Sequence, residues 1–353
     1  MATLTASVVD QPTHLKGDVM CSRVRVSQHF VRGSAASMIA ASFLWVVVHA
    51  ASITPVVTFT PPDFPESIAI DKEGNTYVSM LATGAIRKIA PDGTQSTLAV
   101  LGSGPTTPFP GRRLTGLAVD APGNVYAALN DVAGTRGIWR ISPTGTAALV
   151  TALPVARMLN GMAFDARGNL YVSDSLAGKI YRVARDGSVT DWSTDPLLLG
   201  FNPTSCGIFP AGPGGANGMS FDKHGDMFVA NTTIGAVVRI PVANNGSAGV
   251  ANYFAGPTCD LWGADGTAVD NDDNLYVAVN IQGKIVRIDP YGNIDTLAAA
   301  PADTLYAPAA IAFGTGRGTR KQIFIANFAV PPLGGGIPGV VTMDVGVPGR
   351  PLP

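Results

Sequence analysis
A six-bladed β-propeller, all-β and closed by an N-terminal strand, is the fold this sequence predicts. Three observations carry the prediction. One motif recurs six times along the chain, and a repeat of this kind usually dictates the whole architecture. Within each copy, short runs rich in Val, Ile, Tyr and Phe are separated by turn signals at fixed offsets, which reads as a four-stranded antiparallel sheet. The sixth copy lacks its last strand, while a strand with no other assignment precedes the first copy. Four-stranded sheets repeated radially make a propeller.

Taken in chain order, residues 1–50 read as a signal peptide or N-terminal leader. Arg23, Arg25 and Arg32 precede the apolar run AASMIAASFLWVVV, and VHA at 48–50 supplies a small residue for cleavage. The uncharged run from Gly33 to Val48 is short for a spanning helix. The expectation is therefore a secreted or periplasmic protein, not a membrane-anchored one, with Met20 as an alternative start and the propeller in 51–353. TPVVTFT, residues 54–60, is expected to complete blade six from the N-terminal side and leave no free sheet edge. The units follow as ESIAIDKEGNTYV from Glu66, TGLAVDAPGNVYA from Thr115, NGMAFDARGNLYV from Asn160, NGMSFDKHGDMFV from Asn217 and DGTAVDNDDNLYV from Asp265. A degenerate sixth, AAIAFGTGRGTRKQIFIANF, begins at Ala309.

With 353 residues, 46% of them hydrophobic and 14% charged, the chain is long enough for a large core. A formal net charge of -1 offers no basic field for nucleic acid or anionic lipid, so neither is expected as a partner.

Because the first strand of each propeller blade lines the central channel, one repeat position becomes a ring around one axis. The turn position, Asp71, Asp120, Asp165, Asp222 and Asp270, reads as structural, since Asp opening a tight turn bonds nearby backbone amides. Five residues before it stand Glu66, Thr115, Asn160, Asn217 and Asp265, with Ala309 in the sixth unit. Glu66, Asn160, Asn217 and Asp265 form a hard, oxygen-only set that suits calcium or magnesium. The two carboxylates balance one divalent ion, and four protein ligands leave positions open for water or substrate. Asn-Gly and Asp-Gly are also ordinary turn dipeptides, but that reading does not account for Glu66, which Ser67 follows. The ends of the second strands, Asp174, Asn231, Asn280 and Asn327, fall on the same face and are expected behind the ligands or at the substrate.

Cys206 and Cys259 remain as an even pair once Cys21 leaves with the leader, which permits a disulfide across two neighbouring loops on that face. Trp262, Phe209, Phe64 and Tyr306 share those loops as candidate pocket aromatics, and Arg157 is a candidate for an acidic or hydroxylated substrate. Of four histidines, His14, His29 and His49 fall in the leader, and His224 lies in a turn on the opposite face. A Ser-His-Asp triad, a Cys-His pair and a histidine zinc site are poorly supported. The base must then be a carboxylate or a metal-held water, with Asp265 favoured and Glu66 second.

The stretches ESIAID, NGMAFD, NGMSFD and DGTAVDNDDNLYVA resemble the senescence marker protein/gluconolactonase family, which includes regucalcin, and more distantly the paraoxonases and strictosidine synthase-like propellers. The resemblance spans nearly all of the mature chain. It implies a lactone or ester hydrolase with one divalent cation in the channel, Ca2+ foremost and Mg2+, Mn2+ or Zn2+ also admitted. It places that cation on Glu66, Asn160, Asn217 and Asp265 and implicates Asp265 in activating water. The family's substrate-recognising Arg falls on Met158 here, with Arg157 offset by one, and the paraoxonase histidine dyad has no counterpart. The predicted protein is a monomeric hydrolase of a small-molecule lactone or related ester, its substrate contacted by Arg157, Asn231, Asn280 and Trp262. The alternative is a non-catalytic NHL-like propeller that binds a protein or another ligand; the same rhythm also occurs in streptogramin lyase-like propellers, whose histidine is missing.

Overall fold
The computed structural model describes residues 52–102, 113–131, 135–210, 212–331 and 335–352. The proposed leader at 1–50, with its cleavage point, lies outside them. Six four-stranded antiparallel sheets are present, each running from an innermost first strand to an outermost fourth. Blade one is β2 (Pro65–Ile70), β3 (Thr76–Met80), β4 (Ala85–Ile89) and β5 (Gln95–Val100). Blade two is β6 (Leu114–Val119), β7 (Val125–Leu129), β8 (Gly137–Ile141) and β9 (Ala147–Ala152). Blade three is β10 (Leu159–Phe164), β11 (Leu170–Asp174), β12 (Lys179–Val183) and β13 (Val189–Ser193). Blade four is β14 (Ala216–Phe221), β15 (Met227–Asn231), β16 (Ala236–Ile240) and β17 (Asn252–Ala255). Blade five is β18 (Ala264–Val269), β19 (Leu275–Val279), β20 (Lys284–Ile288) and β21 (Ile294–Ala299).

Blade six joins β22 (Pro308–Phe313), β23 (Gln322–Asn327) and β24 (Gly339–Asp344) to β1 (Ile53–Thr58), which pairs antiparallel with β24 on the outside. The strand expected from TPVVTFT thus closes the ring. Pro55 is tolerated because β1 is an edge strand, and the register slips beside it. First strands neighbour one another in cyclic order, β22 returning to β2. Apolar side chains fill the spaces between blades, as where Ile86 of blade one meets Leu117 and Leu129 of blade two. The second strands β3, β11, β15 and β19 are buried at every position, since each is covered by neighbouring blades on both faces. Outer strands β5 and β9 are largely exposed.

The turn Asp residues do what the sequence suggests. Asp270 accepts from the backbone of Asp272 and Asn274, from Asn274 Nδ2 and, at 3.0 Å, from the Tyr276 hydroxyl. Asp71 and Asp165 repeat the pattern with Tyr77 and Tyr171. Burial and the Asp165 carboxylate push the Tyr171 hydroxyl up to about 12. The C-terminal segment crosses this lower face, where Gly349 bridges to Asp270 and Arg350 N donates to Val269 O. A cavity of about 200 Å³ beside it is lined by Phe164, Phe313, Arg350 and Leu352.

Candidate metal and active site
At the upper end of the first strands the chain makes a repeated irregularity. In every blade the pairing of first and second strands slips at the strand start, between Pro65 and Ser67, Leu114 and Leu117, Leu159 and Met162, Ala216 and Met219, Ala264 and Thr267, and Pro308 and Ala310. A β-bulge re-aims a side chain out of the ladder. Here the bulged residues are Glu66, Thr115, Asn160, Asn217, Asp265 and Ala309. The glycines that follow four of them, Gly116, Gly161, Gly218 and Gly266, lie within strands and not in turns. A Cβ on Gly161 or Gly218 would strike the backbone of the next blade's strand, and one on Gly266 would sit 2.5 Å from Ala310 Cα. Glycine lets the first strands approach closely enough to bring the column together.

Glu66 and Asp265 are brought within electrostatic reach of each other across Ala309. Burial, then the Asp265 charge, pushes the Glu66 carboxyl well above its ordinary range. Burial likewise raises Asp265, although amide hydrogens from Asn280 and Asn217 partly oppose the shift. Two such acids cannot both ionise cheaply without a neighbouring positive charge. Asn160 and Asn217, each 7% exposed, complete the set. Asn160 Nδ2 donates to Ser175 Oγ at 3.2 Å, and Asn217 Nδ2 donates to Thr232 Oγ1 at 3.0 Å. Their Oδ1 atoms make no hydrogen bond among the described residues. The donor set therefore fits one hard divalent cation: two carboxylates to balance it and two carboxamide oxygens left over to face it. Thr115 adds nothing to this set, since its hydroxyl contacts Leu159 O and Ala128 O.

The other expected site residues divide. Asn231 is a correction: fully buried, its Nδ2 donates to Leu197 O and Leu199 O, and its Oδ1 accepts from Ile234 N, so it fastens a loop and has no group left for substrate. Asn280 stands behind Asp265, with Nδ2 3.2 Å from Oδ2 and its own Oδ1 buried without a partner. The same Nδ2 lies 3.4 Å from Ala307 O. Arg157 is exposed, and its guanidinium donates to Leu176 O. The guanidinium of Arg113, at the start of blade two, reaches Met158 instead, Nη1 lying 3.8 Å from Sδ. Asp174 and Asn327 hold loop backbone. Trp262 is half-buried at the rim and packs edge-on against Phe209, ring centroids 5.8 Å apart. Cys206 and Cys259 are joined by a disulfide beneath this pair, Cα–Cα 5.4 Å. His224 is exposed in the turn after β14, at the strand end away from the column.

Sequence reading missed Ser175, Thr232 and Asn130. By residue type Asn280, which follows β19, groups with Asn231, the last residue of β15. The hydrogen bonds instead pair residues fifteen apart: Asn160 with Ser175, Asn217 with Thr232, Asp265 with Asn280, and Thr115 with Asn130. That constant spacing was the available signal.

Fold and site together define a class, six-bladed propellers that gather polar side chains at one mouth of the channel. Comparison with known proteins narrows it. A family model described as SMP-30/Gluconolactonase/LRE-like region matches residues 204–326. The chain is 24% identical over 243 residues to lactonase drp35 of Staphylococcus aureus (strain MW2), covering 64% of this chain and 67% of that one. Among solved structures, the calcium-binding protein regucalcin from Agrobacterium tumefaciens (strain C58) superposes with a TM-score of 0.62 at 17% identity, covering 86% of this chain and 97% of that chain. A gluconolactonase from Xanthomonas campestris gives 0.56 at 18% identity, covering 85% and 90%. At such identities the structural likeness is one of fold. The resemblance to the SMP-30/gluconolactonase family stated from the sequence is borne out, and the chain is a six-bladed propeller with lactonase-like sequence.

Proposed function
We propose that this protein hydrolyses a lactone or related ester with one divalent cation, of calcium type, held by Glu66, Asn160, Asn217 and Asp265. The observation that carries the reading is the pair of half-buried, mutually repelling carboxylates flanked by two carboxamides whose nitrogens are already engaged. When bound, the cation supplies Lewis-acid polarisation of the carbonyl and offsets the two negative charges. Asn160 and Asn217 contribute neutral oxygens that hold it without adding charge. Asp265, the carboxylate at the mouth of blade five, takes the proton of the attacking water as the water oxygen bonds to the carbonyl carbon. The ring C–O bond then breaks, and the proton passes to the departing alkoxide to give the hydroxy acid. Glu66 stays ionised beside Asp265 and keeps the site selective for a cation. The rim around Trp262 and Phe209 offers apolar surface to the substrate body.

Export by the leader is part of the same proposal, and the Cys206–Cys259 disulfide supports an oxidising compartment. Among the described residues no helix is long and apolar enough to cross a membrane.

The test is metal analysis and a lactone panel on the wild type and Asp265→Ala. The expected result is about one calcium-type ion per chain, with ion and hydrolysis both lost in the variant. Undiminished metal content in Asp265→Ala and Glu66→Ala, with no lactone cleaved by the wild type, would favour the non-catalytic binding propeller.

A further inference from the structure
We propose that Ser175, Thr232 and Asn280 are positioning residues that fix how Asn160, Asn217 and Asp265 present their oxygens to the cation, and that they couple these three ligands across blades three to five. This rests on the reading of Asn160, Asn217 and Asp265 as ligands.

The argument is one of donors and acceptors. Ser175 Oγ donates its only proton to Ala216 O at 2.7 Å, and Thr232 Oγ1 donates its own to Ala264 O at 2.8 Å. Each hydroxyl can then only accept from the neighbouring carboxamide, so Asn160 and Asn217 must turn Nδ2 toward it and Oδ1 away. Without that acceptor, the Asn160 carboxamide rotated by half a turn would fit nearly as well and aim N–H groups at the cation, while at Asn217 the Asp265 carboxylate is a second acceptor for the amide and reinforces the same orientation. Where the ligand is a carboxylate, which only accepts, the supporting residue is a donor instead: Asn280 Nδ2 binds Asp265 Oδ2. The chemistry of the support therefore tracks the chemistry of the ligand at one repeat position. Ser175, Thr232 and Asn280 are 5%, 5% and 3% exposed, so bulk water does not substitute for them.

The receiving carbonyls tie the ring together. Ala216 precedes Asn217, and Ala264 precedes Asp265. Each hydroxyl thus holds the ligand of its own blade and the backbone entering the ligand of the next. Asn130 extends the chain backward: Nδ2 donates to Leu159 O at 2.8 Å and Oδ1 accepts from Leu159 N at 2.8 Å, the residue before Asn160. A lost hydroxyl in blade three is expected to loosen ligands in blades three and four together.

The experiment is calcium titration by calorimetry on the whole protein, with a metal-free melting curve for each variant. Ser175→Ala and Thr232→Val are expected to weaken calcium binding by about 10- to 100-fold, the usual effect of removing groups that orient metal ligands. Thr232→Ser is expected to restore binding to within about twofold of wild type, because it keeps the hydroxyl. Ser79→Ala is the control: Ser79 Oγ donates to Thr115 O at 2.7 Å and accepts from Ser67 N at 2.9 Å, so it holds backbone of two blades beside the column but touches no ligand side chain. Its affinity is expected to match wild type whatever its melting temperature. Should Thr232→Val fail to fold, Ser175→Ala against Ser79→Ala decides. Wild-type affinity in Ser175→Ala and Thr232→Val, or equal weakening in Ser79→Ala, overturns the positioning role while leaving the cation site standing. Absence of calcium binding in the wild type itself overturns both.

Discussion
Asp270, at the lower end of β18, accepts four hydrogen bonds from its own turn and the Tyr276 hydroxyl, whereas Asp265, five residues earlier at the upper end, faces a second half-buried acid, Glu66. Both aspartates belong to columns that recur around the ring, and both precede or close the same apolar strand. The lower column is satisfied within each blade, so it needs nothing else and stabilises the hairpin. The upper column is satisfied only in part, by Asn280, Ser175 and Thr232 and by the Asn217 amide at Asp265, and leaves carboxamide oxygens and charge without partners. A recurring polar residue is thus not informative by its recurrence. What separates the two roles is whether the hydrogen-bonding capacity is already used.

The comparison breaks most visibly at the upper end. Asp265→Asn and Glu66→Gln are expected to abolish calcium binding and lower lactone hydrolysis by on the order of 100-fold or more. Each is also expected to raise the melting temperature of the metal-free protein, because repulsion between the two acids is removed. Calorimetry and scanning calorimetry in chelator report the two effects separately. A lower metal-free melting temperature in both variants would show that the upper carboxylates are structural after all.

At the lower end the expectation reverses. Asp270→Ala leaves two backbone amides, Asn274 Nδ2 and the buried Tyr276 hydroxyl without their acceptor, and is expected to cost about 3 kcal/mol of stability. Calcium affinity of the folded fraction should stay at the wild-type value. Denaturant unfolding combined with a titration checks both halves.

A pH series sharpens the contrast without mutation. Glu66 and Asp265 have folded-state values raised above their ordinary 4.5 and 3.8. Between the ordinary and raised values the folded protein binds more protons than the unfolded chain, so metal-free stability falls as pH rises through that window. Only the ionised pair binds the cation, so calcium affinity should rise over the same window. Melting temperature against pH, with chelator and with calcium, should therefore give slopes of opposite sign. Parallel slopes would remove the carboxylate pair from the cation site.

The smallest effect is expected at Arg157. Arg157→Ala removes an exposed side chain bound to one loop carbonyl, so stability should change by no more than about 0.5 kcal/mol, with KM for a cleaved lactone unchanged. A clear rise in KM would return Arg157 to the substrate.

Much of this was legible in the repeat. Periodicity placed Glu66, Asn160, Asn217 and Asp265 in one column, and the missing strand of the sixth unit pointed to residues 54–60, because strand pattern and turn chemistry are local properties of the chain. Asn231 and Asn280 show where that legibility stopped. They look alike in sequence, yet a one-residue difference in register sends Asn231 to the carbonyls of a loop and Asn280 to Asp265. Ser175 and Thr232 carried no signal by type, since a serine or threonine after a strand is commonplace.

By itself the sequence determined the number of blades, the strand order, the turn column and the candidate ligands, all of which follow from side-chain periodicity and local turn preferences. Only the tertiary structure decided how those residues are placed and paired. Closure of the ring brings Glu66 and Asp265 together from opposite ends of the repeat series. Close backbone approach at Gly161, Gly218 and Gly266 sets their depth, and hydroxyl protons committed to the next blade orient the carboxamides. These are contacts between segments remote in sequence, fixed by packing and by the saturation of donors and acceptors, and no local pattern encodes them.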